Sequence, residues 1–203
     1  MPRAGLSHPA VVTGAAELAD EIGFDRLTLA ALAARLGVRL PSLYKHIDSL
    51  DGLRRDVAVL AVTELGATIS AAAVGRAGSD ALRAVADAYR RYGQAHPGRY
   101  AATIRAPGAD DAEHTAAAEG VLRVVLAVLA GYGLAGNDAI DATRALRAGL
   151  HGFVALEAGG GFGMPVDVDR SYTRLVDGFD ATLHRWADTA QLSPAAGLER
   201  TPR

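Results

Sequence analysis

The side chains best suited to hold a charged partner cluster near the N-terminus. From Leu27 to Ile47 the chain has no acidic residue, yet Arg35, Arg39, Lys45 and His46 fall inside that window, and Lys45 is the single lysine of the chain. Arg39 and Lys45 suit the O6 and N7 edge of guanine or a nearby phosphate, and Leu40 and Pro41 suit a thymine methyl. The phenol of Tyr44, beside Lys45 and His46, suits a hydrogen bond to phosphate. Its bland alternative is an aromatic that pins a short helix to its core. Arg35 is equally well read as an ordinary surface residue.

Other chemistry finds little support. His96, His114 and His151 fall on three different predicted helices with no paired spacing, so no metal site is expected. Gly159 to Gly163 is glycine-rich but lacks the preceding strand and the Gly-Lys-Ser/Thr ending of a phosphate loop. Glu157 and Asp177 have no partner pattern that makes a general acid or base, no Ser-His-Asp order can be defended, and no cofactor is implied. The sequence is read as that of a non-enzyme.

The elements that must position the basic window follow from apolar spacing. Leu29, Leu32, Ala33 and Leu36 recur at helical steps, Thr28 stands where an N-cap belongs, and Gly37 stands where a left-handed C-cap belongs. Pro41 then restarts the chain, since proline is favoured in the first turn of a helix. Helix, glycine turn and helix is the geometry in which the second helix enters the DNA major groove. A preceding helix over Pro9 to Ile22, closed by Gly23, completes a three-helix unit, and a longer fourth helix runs from about Leu53 toward Val74.

Gly75 to Ser79 marks a composition break. Beyond it, helices are predicted from a Ser79 cap to His96, from Pro97 to Ile104, from Asp111 to Gly131, from an Asn137 cap to Gly159, and from an Asp169 cap through Trp186. The stretch Val121 to Gly133 is apolar nearly all the way round, which predicts a helix in the middle of a bundle. No strand-length alternation occurs, so the fold is expected to be all-α with about nine helices. The expected organisation is an N-terminal helix-turn-helix domain over residues 8–66, a C-terminal helical bundle over 78–190, to which the resemblance named below assigns ligand sensing and dimerisation, and a disordered tail over 191–203. Absence of cysteine, no visible signal segment and no apolar run long enough to span a bilayer point to a cytoplasmic protein without a membrane partner. The net charge of −2 places the basic window on a slightly acidic chain.

With these residues in place, the order of a Thr28-capped helix, the Gly37-Val38 turn and the segment Pro41-Ser42-Leu43-Tyr44-Lys45-His46-Ile47, followed by Asp48-Ser49-Leu50, resembles the N-terminal domain of tetracycline-repressor (TetR/AcrR) type regulators. Leu150-His151-Gly152-Phe153, with Ala95-His96-Pro97-Gly98-Arg99-Tyr100 upstream, is similar to the subgroup whose effector domain is named for a Trp-His-Gly motif, with Leu150 at the tryptophan position. The resemblance implies a homodimeric regulator, usually a repressor, that binds a palindromic operator in double-stranded DNA and is released by a small-molecule effector. It implies that Thr28 contacts a phosphate, that Arg39, Leu40, Pro41, Ser42 and Lys45 face the groove, and that Tyr44 and His46 reach the backbone. Where many members carry a lysine after the serine of the connection this chain has Leu50, so that phosphate contact is either missing or supplied by Arg54 or Arg55.

Helices from Asp51 to Gly131 are expected to enclose an apolar cavity with Tyr89, Tyr92, His96, Tyr100 and His114 as polar handles, and His151 as a further ligand contact. Leu146, Leu150, Phe153, Leu175, Phe179, Leu183 and Trp186 are expected at a dimer interface, with Gly149 and Gly152 allowing close approach. Rival readings from other classes are an all-α enzyme using the bundle and a helical adaptor that binds only protein.

Overall fold

The computed structural model describes residues 6–192, with side chains through Asp188. Three short helices come first: α1 (His8–Ile22), α2 (Leu29–Leu36) and α3 (Leu40–Leu43). Their ends are written locally. Ser7 caps α1 by accepting from the Ala10 amide, and Thr28 caps α2 by accepting from the Ala31 amide at 3.2 Å. Gly37 closes α2 with a φ of 65°, a conformation in which a Cβ would be strained. Pro41 lies in the first turn of α3, where its missing N–H costs nothing. This helix is shorter than the segment through Ile47 suggests, because residues 44 to 46 continue as a turn with the His46 and Ile47 amides bonded back to the Leu43 carbonyl.

Ser49 caps α4 (Leu50–Ala73), the spine of the molecule. Leu53, Val57, Ala58 and Ala61 of its first half join a core with Val11, Leu27, Leu32, Leu43 and Ile47, while Leu65 and Ile69 of its second half join a separate, larger core. By length and composition alone α4 could cross a membrane. In the fold it is instead packed against α1, α5, α6 and α7, and Arg54, Arg55 and Glu64 along it are bonded to neighbouring segments.

The second core is built by α5 (Gly78–Ala95), α6 (Pro97–Ala102), α7 (Ala112–Ala130), α8 (Gly136–Ala158) and α9 (Val168–Leu192). Nine α-helices and no strand occur among the described residues. Three expected caps move. Helix α5 starts at Gly78, and the Ser79 hydroxyl lies 3.4 Å from His184 Nε2 instead of capping. Helix α8 starts at Gly136, so Asn137 lies inside its first turn. The carboxylate that accepts at the start of α9 is Asp167, from the Asp169 amide.

Helix α7 is not the central helix. His114, Val128 and Leu129 are buried, but Val121, Leu122, Val124, Val125 and Leu126 are only half-buried. One face of α7 seats closely on α4, where Gly66 faces Val121: a Cβ there would stand 3.3 Å from the valine methyl. Small residues hold one face of α7 against α4, which takes the central place. Of the expected tail, Gln191 and Leu192 belong to α9 and the remainder lies outside the described residues.

Candidate nucleic-acid interface and internal polar site

Packing of the helix-turn-helix fixes which side chains remain outside. Leu43 and Ile47 are fully turned into the first core. Around them Thr28, Arg39, Leu40, Pro41, Tyr44 and Lys45 are exposed, and Ser42 and His46 are half-buried. Tyr44 is 53 % exposed, so it is not the aromatic that pins the helix; Leu43 does that. The Thr28 oxygen is already used as the α2 cap, which leaves its hydroxyl proton for an outside acceptor. Among the described residues no carboxylate pairs with Arg39 or Lys45.

Other cations nearby are committed. Arg35 pairs with Glu17 at 3.0 Å and Glu21 at 2.7 Å of α1, which fixes α2 on α1 and settles its reading as structural. Arg54 donates to the carbonyls of Asp25 and Leu27. Arg55 donates to Asp111, Asp56 and Glu113. With both arginines bonded internally, the alternative in which Arg54 or Arg55 supplies a phosphate contact in place of Leu50 is disfavoured.

These commitments form the junction between the two cores. Arg55 lies between Asp56 and the Asp111–Glu113 corner before α7, and the Asp111 carboxyl is held well below the usual carboxylate range by its hydrogen bonds to Arg55 and the His114 amide. Arg105 grips Asp51 through both nitrogens, at 2.9 and 3.0 Å. Helix α6 sits directly on the end of α1: a Cβ at Gly98 would lie 2.0 Å from the Ala19 carbonyl oxygen. Next to it, the Arg99 amide donates to Asp20 and its guanidinium reaches Asp20 and Glu64. No chemical motif singles out Gly98 and Arg99, although a glycine directly after Pro97 at a helix start is the local signal of a close approach.

The six expected handles divide into two groups. Tyr92 donates to the Ala61 carbonyl and to Glu64, and His96 lies 3.4 Å from Asp20, so both belong to the junction. His114 is buried at 1 % exposure beside Asp111, burial pushes its pKa down, and its Nε2 has no hydrogen-bond partner. The other three converge. The Tyr100 hydroxyl is 3.1 Å from the Tyr89 hydroxyl and 2.7 Å from His151 Nδ1, with the Tyr100 ring stacked on the imidazole. Burial raises both phenol pKa values and lowers that of His151, so the cluster is uncharged at neutral pH. His151 brings α8 to the cluster, beside Tyr89 of α5 and Tyr100 of α6.

The α8–α9 side is a groove of about 360 Å³ lined by Leu146, Leu175, Phe179, Leu183 and Trp186, among others. Leu146, Leu150 and Leu183 are buried inside their own chain, at 5, 7 and 2 % exposure, and so act first as core. Phe153 packs on Tyr172 and Phe162 of the same chain. Gly149 serves an internal approach, since a Cβ there would stand 2.4 Å from the Phe179 ring, whereas a Cβ at Gly152 meets nothing within 4 Å. No group of three or more His, Cys, Asp or Glu among the described residues is arranged to hold a metal.

Comparison with known proteins agrees with this geometry. Residues 11–57 match the family model for bacterial regulatory proteins of the tetR family, and residues 82–179 match that for the tetracyclin repressor-like C-terminal domain. An uncharacterized HTH-type transcriptional regulator of Mycobacterium tuberculosis, Rv0681, is 43 % identical over 97 % of this chain and 84 % of its own length. A Rhodococcus protein of unknown function has the same fold with a TM-score of 0.74 at 24 % identity, over 91 % of this chain and 99 % of that one. TetR-Q116A from Acinetobacter baumannii, solved with minocycline, aligns with a TM-score of 0.67 at 23 % identity, over 89 % of this chain and 98 % of that one. The chain belongs to the tetR family of helix-turn-helix transcriptional regulators.

Proposed function

We propose that the chain is a cytoplasmic, homodimeric repressor whose residues 8–66 bind a palindromic operator and whose residues 78–190 sense a small molecule and dimerise. The observation that carries this reading is the pair of cations Arg39 and Lys45, with no carboxylate partner among the described residues, flanking α3 beside exposed Tyr44, where neighbouring Arg35, Arg54 and Arg55 are bonded internally. Cations left free on a helix-turn-helix suit phosphates and base edges. Thr28, Leu40, Pro41, Ser42 and His46 complete the surface. Leu175, Phe179 and Trp186, half-buried on the α8–α9 groove, and open Gly152 suit a second copy packing as a four-helix bundle. Such a dimer would hold two recognition helices about 34–36 Å apart, one turn of DNA. The segment Leu150-His151-Gly152 favours the Trp-His-Gly subgroup within the family.

Effector response follows from α6. Its Ala102 belongs to the first core and its Tyr100 to the second, so a molecule that moves Tyr100 moves the helix on which Gly98 and Arg99 hold α1 and α4. The effector releases DNA through its different affinity for the two arrangements. The minocycline complex of the Acinetobacter protein supports a small-molecule effector in this fold. A gel shift with the DNA flanking the chain's own gene, repeated across salt concentrations, tests the reading. Binding that weakens steeply with salt and is lost in the combined Arg39→Ala, Tyr44→Ala, Lys45→Ala variant is expected; undiminished binding by that variant rejects the assigned surface.

A further inference from the structure

The Tyr89, Tyr100 and His151 cluster carries information about the chemistry of the effector, and that information rests on the effector-sensing role proposed for residues 78–190. The three groups form a linear hydrogen-bond chain, Tyr89 hydroxyl to Tyr100 hydroxyl to His151 Nδ1. Each phenol has one proton. If Tyr89 donates to Tyr100 and Tyr100 donates to Nδ1, the neutral imidazole carries its proton on Nε2 and that N–H is left as a donor. If the chain runs the other way, the Tyr89 hydroxyl is the donor left over. In either direction the cluster keeps one unspent N–H or O–H for a guest.

Charge around the cluster is not balanced. Arg147 stands one helical turn before His151 on α8, and its positive charge acts on Tyr89, Tyr100 and His151 together. Neighbouring arginines have carboxylates: Arg144 pairs with Asp141, and Arg90 pairs with Glu157 and Asp169. Among the described residues none pairs with Arg147, which is exposed at the edge of the site. A single guanidinium with an unspent donor behind it matches a single negative charge, and the charge-assisted hydrogen bonds so formed are the strong kind. A dianion would need a second cation. The edge-to-face rings of Tyr89 and Tyr100, 5.5 Å apart, and the half-buried Val121, Val124, Val125 and Leu126 of α7 pack against the same core and suit an apolar body.

We propose that the effector is an organic monoanion, a carboxylate on an apolar body, with Arg147 as its counter-charge and the Tyr89–Tyr100–His151 chain as its hydrogen-bond partner. A cation would be repelled by Arg147, and a neutral amide would satisfy the hydrogen bond without the charge.

Calorimetric titration of the full-length, DNA-free protein with octanoate and 3-phenylpropionate, each beside its primary amide and its amine, tests the assignment. The carboxylates are expected to bind about tenfold or more tightly than the matching amides, with the amines weakest. Either carboxylate as the tighter of the two supports the proposal and assigns an alkyl or an aryl body. Arg147→Ala should erase the preference for carboxylate over amide, Arg147→Lys should keep most of it, and Arg147→Glu should turn it toward the amine. Because the Arg147 side chain is exposed, these changes leave the core intact. The proposal is overturned if neither carboxylate binds, if an amide binds as tightly as its acid, or if Arg147→Ala keeps the preference. A gel shift by the ligand-free protein is read separately: DNA binding without carboxylate binding removes this site and keeps the regulator, whereas carboxylate binding through Arg147 without DNA binding does the reverse.

Discussion

On the outer side of the helix-turn-helix, Arg39 and Lys45 stand in solvent with no carboxylate beside them, while at the junction behind it Arg54, Arg55, Arg99 and Arg105 are each bound to carbonyls or carboxylates of another segment. The two regions lie in one chain of nearly balanced charge, so composition does not separate them. What separates them is the position of the acids. Glu17 and Glu21 neutralise Arg35, and Asp20, Asp51, Glu64 and Asp111 neutralise the junction, while Arg39 and Lys45 of the recognition segment have no carboxylate beside them among the described residues. Paired cations fix how the two cores sit, and the pair left free on the recognition segment suits a polyanion.

The junction should yield the largest effect under mutation. At Gly98 an added methyl group would sit 2.0 Å from a backbone carbonyl of α1, and backbone cannot rotate away as a side chain can. Gly98→Ala is expected to lower stability by about 2–3 kcal/mol, the upper part of the range for overpacking, and the melting temperature by roughly 5–10 °C. Gly120→Ala of α7 is the matched control: its new methyl meets only the end of the Arg123 side chain, at 3.7 Å, and alanine is favoured over glycine inside a helix by about 1 kcal/mol. Thermal unfolding of the two variants side by side separates them, and a Gly98→Ala protein as stable as the parent would mean that α6 does not press on α1.

How far each region is legible in the sequence differs for the same reason. Thr28, Gly37, Pro41 and Ser49 act on amides and dihedrals within a few residues of themselves, so the helix-turn-helix can be read from local spacing. The free state of Arg39 and Lys45 is foreshadowed by the acid-free window. By contrast, Arg55 reaches Asp111 across 56 positions and Tyr100 reaches His151 across 51, and no local pattern encodes such pairs. Hence Tyr89, Tyr92, Tyr100, His96, His114 and His151 look alike as polar residues on helices, although three form one site and three belong to the junction or its edge. The same limit misplaces α7. Apolar composition all round reports that a helix lacks charges, but which helix is central depends on where the small residues of α4 admit a close neighbour.

A pair of single substitutions sharpens the contrast between bound and free cations. Arg55→Ala removes hydrogen bonds to Asp111, Asp56 and Glu113 in a half-buried setting and is expected to cost on the order of 1–2 kcal/mol of stability. Lys45→Ala removes an exposed side chain and should stay within about 0.5 kcal/mol of the parent. In DNA binding the order reverses: Lys45→Ala should weaken affinity and flatten the slope of log affinity against log salt by about one unit if the ammonium meets a phosphate. Chemical denaturation and fluorescence anisotropy on the same preparations give both numbers, and a Lys45→Ala protein with an unchanged salt slope would move the polyanion surface elsewhere.

The gentlest probe of the junction is pH. Folding holds the Asp111 carboxyl well below its ordinary value through Arg55, so this contribution is complete above about pH 4 and is lost as the pH falls through the folded value. His114 acts in a higher window. Burial holds its imidazole below the ordinary value of about 6.5, so the unfolded chain takes up a proton first and stability declines as the pH drops from there. His151, lowered by burial and by Arg147, declines in the same window. Melting temperatures recorded from pH 8 to pH 3 should therefore fall in two stages, one below about pH 6.5 and one below about pH 4. Because His114 Nε2 has no partner to lose, His114→Leu should shrink the upper stage and leave the lower one, whereas Asp111→Asn should shrink only the lower. An upper stage that survives unchanged in His114→Leu would assign it wholly to His151, and the α7 corner would then contribute to the junction through Asp111 alone.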